Sequence, residues 1–89
     1  MNTHEMSVSS DNFKKMLEGV KNFQTVDTIM YPVLTGDKII FHELDDLCKE
    51  KTGRTFNALI GYIEYYAAQS IAIVGFYGGF LKLPEQYKK

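Results

Sequence analysis

Between Phe41 and Pro84 apolar spacing and turn residues alternate in an order that restricts the fold more than any other part of the chain. Leu44, Leu47 and Cys48 fall on one side of a helix predicted over about His42 to Lys51, with Glu43, Asp45, Asp46, Lys49 and Glu50 on the other. Its acidic residues gather near the N-terminus, which suits the helix dipole, and Gly53 ends it. A second helix opens at Thr52 or Thr55 and runs to Gln69, burying Phe56, Leu59, Ile60, Ile63, Tyr66 and Ala67. Its opposite face carries Asn57, Ala58, Gly61, Glu64, Tyr65 and Ala68, with Tyr62 at the boundary. Gly61 costs that helix about 1 kcal/mol relative to Ala and is best explained by close packing of another helix. Ser70 to Tyr77 and Phe80 to Leu83 then read as two strands, joined at Gly78-Gly79 by a turn whose central residues both need positive φ.

Upstream, residues 1–8 are expected to form a flexible tail and residues 9–89 a single domain. Phe13, Met16, Leu17, Val20 and Phe23 recur at helical spacing behind the capping residues Ser9, Ser10 and Asp11, predicting a helix over about Asp11 to Asn22. Val26, Ile29, Met30, Val33 and Leu34 form another helical stripe, closed by Gly36. Pro32 conflicts with it, because proline removes a helix hydrogen bond and clashes with the preceding turn, so a kink or an early break is expected. Ile39 to Phe41 is a short β-prone run that needs a partner strand.

Composition limits the classes of function. The 89 residues make one domain, with 45% hydrophobic and 24% charged residues, a globular balance. The net charge of -1 lowers the expectation of a nucleic-acid partner and raises that of a protein partner. Cys48 is the only cysteine, so no intrachain disulfide forms; a small buried apolar thiol and a cytoplasmic location are expected. The polar N-terminus lacks a signal-peptide pattern, and no apolar run is long enough to span a bilayer.

The segment from Phe41 to Leu83 resembles the core of a winged helix-turn-helix domain. Phe41-His42-Glu43-Leu44 resembles its strand leading into the second helix, Thr52-Gly53-Arg54-Thr55 its turn, Thr55 to Gln69 its recognition helix, and Ser70 to Leu83 its wing. The resemblance implies an α+β fold with a trihelical core, begun by the Val26 to Leu34 stripe, a C-terminal β-hairpin and an additional N-terminal helix. It implies a dimeric DNA-binding transcriptional regulator that inserts the 55–69 helix into the major groove. The matching DNA-contact positions are Thr52, Arg54, Thr55, Asn57, Ala58 and Tyr62, with Lys82 and the terminal Lys88 and Lys89 near the DNA backbone. Against this stand Glu64 on the same face and a wing tip without Lys or Arg. The rival expectation is a protein-interaction module, an adaptor or inhibitor, docking through Phe13, Tyr62, Tyr65 and Tyr77.

No enzyme, metal or cofactor is expected. His42 and Cys48 lie near Asp45 and Asp46, but structural zinc takes four Cys or His ligands and only His4 is left to add. A Cys–His nucleophile pair lacks a third orienting group. Glu43, Asp45 and Asp46 read as a solvated first turn, and GFYGG lacks the Gly-Lys-Ser/Thr ending of a phosphate loop.

Overall fold

The computed structural model describes residues 1–84. In chain order it contains β1 (Thr3–Val8), α1 (Ser10–Leu17), β2 (Phe23–Asp27), β3 (Lys38–Leu44), β4 (Lys51–Tyr66), a single 3-10 turn (Ala67–Gln69) and β5 (Ile71–Lys82). The strands form one mixed sheet in the order β1-β3-β4-β5-β2, curled into a half-barrel. β1 runs parallel to β3, and every other neighbouring pair is antiparallel. This is not a winged helix: among the described residues there is one α-helix, no trihelical core and no recognition helix.

Each misread element has a physical cause. The inward positions of β4 are Phe56, Ala58 and Ile60, the two-residue period of a strand. A β-bulge at Gly61 then shifts the register, so that Ile60 faces Phe76 while Ile63 faces Val74. The step from Ile60 to Ile63 therefore has helical spacing although the backbone is extended. Gly78-Gly79 is not a hairpin turn. β5 continues through it, with Leu59 paired to Tyr77 and Asn57 to Phe80, so the two glycines together oppose Ala58 in a second bulge. Gly78 has φ +65°, and a Cβ on Gly79 would lie 2.0 Å from the Phe56 ring. The ring occupies the space that the missing side chain leaves open.

The helix expected over His42 to Lys51 is the end of β3 and a connecting turn. Asp45 Oδ1 accepts the Leu47 and Cys48 N–H groups at 2.8 and 3.2 Å, and the Asp45 N–H donates to Glu50 O. Aspartate caps a turn with the same bonds it uses to cap a helix, which explains the misreading. Cys48 is exposed on this turn rather than buried. The Val26 to Leu34 stripe divides into β2 and a loop that contains Pro32. Residues 3–8, expected as tail, are β1, whose alternation buries His4, Met6 and Val8.

α1 follows expectation in shorter form. Ser9 caps it by accepting the Asn12 N–H at 3.2 Å, and it buries Phe13 and Met16 against the concave face of the sheet. The chain then turns through Gly19 at φ +76°. The core is continuous: Phe13, Met16, Val33, Ile39, Phe41, Ile60 and Val74 are its most completely buried large side chains. Phe76 meets Phe41 and Phe56 at ring-centroid distances of 5.1 and 6.1 Å. Among the described residues no helix is long and apolar enough to cross a membrane.

Candidate functional site

The two ends of the half-barrel are built differently, and each is organised by a buried carboxylate. At the end covered by α1 the carboxylate is Glu43, on the inward face of β3. Ser10 Oγ donates to it at 3.1 Å, Thr52 Oγ1 at 2.8 Å, and Arg54 through Nε and Nη2 at 2.8 and 2.7 Å. The two-pronged Arg54 contact is the main reason that the carboxyl is held below its ordinary range, against the opposing effect of burial. The Arg54 guanidinium also lies 5.3 Å from the centroid of the Phe13 ring. α1, β3 and β4 are thus tied at one point, which makes this end a structural closure.

The opposite end is open. A cleft of about 720 Å³ lies there, lined by Asn2, Thr28, residues 32–34, Tyr65, Ala67, Ser70 and Ile71. Asn2 precedes β1 and Thr28 follows β2, the two outermost strands of the sheet, so the curl of the sheet brings its two edges to one mouth. Residues 28–37 form one lip. Asp27 Oδ1 starts this loop by accepting the Ile29 N–H at 2.8 Å, and Val33 anchors it in the core. Tyr65 Oη donates to Val33 O at 2.9 Å, fixing the lip to β4.

Asp37 ends the loop. It accepts the Asn2 N–H at 3.0 Å and the Leu34 N–H at 3.0 Å, and His4 Nε2 lies 2.8 Å from its Oδ2. The Asn2 N–H is the first cause, and His4 the second, of a carboxyl held below its ordinary range. Gly36 N–H donates to Ile60 O, and Ile60 N–H to Asp37 O, so the lip is also stitched to the middle of β4.

This rigid loop nevertheless leaves apolar side chains in solvent. Ile29 is 78% exposed, Met30 70% and Leu34 58%. Among the described residues lining the cleft, Tyr65 is the only ionisable one, and its hydroxyl is engaged. An apolar-walled cleft with Asn, Thr and Ser at its margin is equipped to bind.

The expected site residues scatter. Ala58 and Phe13 are in the core, so neither meets a partner. Thr52 and Arg54 are bound to Glu43. Thr55, Asn57 and Lys82 do converge, on the convex face of the sheet rather than on a helix. Tyr62 and Tyr77 also share that face, each lying over a glycine: a Cβ on Gly61 would come 2.9 Å from the Tyr77 ring, and one on Gly75 would come 3.4 Å from Tyr62 Cβ. Gly61 thus admits an aromatic ring, not a helix. Tyr65 alone among the expected interface residues lines the mouth. Lys88 and Lys89 lie outside the described residues. The lip residues Ile29, Met30 and Leu34 are exposed rather than part of the expected buried stripe; Pro32 is the signal against an unbroken helix there.

Residues 3–76 match the family described as a domain of unknown function, DUF3850, and the chain belongs to that family. No curated protein is similar enough to this chain to count as a match.

Proposed function

We propose that this protein is a non-catalytic protein-interaction module whose open barrel mouth receives an apolar segment of a different protein. The observation that carries the reading is the exposed lip. Ile29, Met30 and Leu34 stand in solvent on a loop that is otherwise held by Asp27, Val33, Asp37 and Tyr65. Exposed apolar side chains on a fixed backbone beside an apolar cleft lose little conformational entropy on binding, the usual property of a docking surface. At the closed end α1 and the Glu43 cluster fill the barrel. Cys48, exposed and single, fits a reducing compartment, and the cytosol is the proposed location.

Affinity capture with the intact chain tests the proposal. Wild-type protein should retain a stoichiometric partner, and Leu34→Lys should lose it while keeping its melting temperature. Equal retention by the two proteins would contradict the assignment. Sedimentation of the isolated chain tests the choice of occupant: a monomer fits a foreign partner, whereas a dimer abolished by Leu34→Lys would replace that partner with a second copy.

A further inference from the structure

The convex face of the sheet carries a second concavity, of about 260 Å³, that shares no lining residue with the mouth. The strand register assembles its polar side chains. His42 lies opposite Thr55 across the β3–β4 pair, and Thr55 lies opposite Lys82 across β4–β5. One step along, Glu5, Ile40 and Asn57 align across β1, β3 and β4. Four strands therefore contribute Glu5, His42, Thr55, Asn57 and Lys82 to one trough, and Gly53 and Leu83 complete its lining.

The free bonding capacity of this trough is mostly donor. Asn57 is only 6% exposed, although its position alternates with the inward Phe56 and Ala58. Its Nδ2 donates one hydrogen to Thr55 Oγ1 at 3.0 Å, and an amide nitrogen has a second to give. The Thr55 hydroxyl accepts that bond and gives its own proton to no group among the described residues. Lys82 has no ion-pair partner among the described residues. Glu5, the one carboxylate among the described lining residues, is engaged by His42 at 2.7 Å. An ammonium, a hydroxyl proton and an amide hydrogen are left at the cavity, alongside the second Glu5 carboxylate oxygen and Asn57 Oδ1. The three donors are matched by a group that accepts hydrogen bonds, and a negatively charged one satisfies Lys82 as well.

We propose that this trough is a binding site for an oxyanion, a phosphate ester or a carboxylate, held by Lys82, Thr55 and Asn57. The site is independent of the mouth. Titration of the ¹⁵N-labelled intact chain with inorganic phosphate and with acetate, each against sodium chloride at matched ionic strength, tests it by NMR. At least one oxyanion should produce saturable shifts at the amides of residues 55, 57 and 82. Lys82→Gln and Thr55→Val should each weaken that binding about tenfold, the expected loss for one charge-assisted hydrogen bond. Saturation by phosphate alone assigns a phosphate ester, by acetate alone a carboxylate, and by both the shared chemistry. Leu34→Lys, which alters only the mouth, should leave the titration unchanged. Shifts that never saturate, that chloride reproduces, or that survive both trough variants would overturn the proposal.

Discussion

The two ends of the half-barrel each bury a carboxylate, yet they use it for opposite purposes. Glu43 is satisfied by the side chains of Ser10, Thr52 and Arg54 beneath a helix that packs Phe13 and Met16 into the core. Asp37 is satisfied largely by backbone N–H groups and by His4, and what it fixes is a loop whose apolar side chains face solvent. Side-chain donors tie elements together and seal one end. Backbone donors hold a loop in shape without covering it, which leaves the other end rigid and open. The comparison teaches that order and exposure are separate properties, and their combination at the mouth is what the proposed docking function rests on.

The comparison can be broken most strongly at the closed end. Phe13 is completely buried against the sheet, so Phe13→Ala should destabilise the protein by about 3–5 kcal/mol in chemical denaturation. A loss below about 1 kcal/mol would mean that α1 does not seal the core. Arg54→Ala comes next: it strips two bonds from a buried carboxylate, and about 1–3 kcal/mol should be lost. Gly79→Ala places a methyl group in the Phe56 ring and should cost about 1–3 kcal/mol. Tolerance of that change would restore a hairpin turn at Gly78-Gly79 and remove the continuous β5.

Acid should affect both ends in the same direction. The carboxyls of Glu43 and Asp37 are held below their ordinary values of 4.5 and 3.8 in the folded protein. Their contribution to stability is therefore complete above those values and is lost as pH falls through the lower folded values. The melting temperature should stay level from neutral pH to about pH 5 and drop below about pH 4. Glu43→Gln should begin from a lower stability and show a shallower acid loss. An acid limb equally steep in that variant would remove Glu43 from the account. The smallest stability effect belongs to the mouth: Leu34→Lys, on an exposed lip, should change stability by no more than about 0.5 kcal/mol while abolishing partner retention.

What could be read from the sequence follows from how local the determining interactions are. α1 was legible because its cap and its buried residues lie within one short segment, Ser9 to Met16. The centre of β3 was legible from the run Ile39 to Phe41. β4 was not, because the bulge at Gly61 gives a strand the residue spacing of a helix. The β3–β4 turn was not, because Asp45 caps a turn as it caps a helix. Of the mouth, Tyr65 was anticipated as an interface residue, and the structure places it on the cleft wall. The two carboxylate clusters were invisible, since Asp37 meets a histidine 33 residues away and Glu43 meets partners from α1 and β4. Exposed charge and buried charge look the same in a sequence until the strand register is known.

Site-specific photo-cross-linking from two exposed leucines tests the central claim most directly. Leu34 is on the lip of the mouth, and Leu47, 96% exposed, is on the turn at the closed end. With benzoylphenylalanine introduced at each position in turn, the mouth account predicts a discrete cross-linked partner from position 34 and none from position 47. Equal cross-linking from both positions, or a discrete product from position 47 alone, would contradict it.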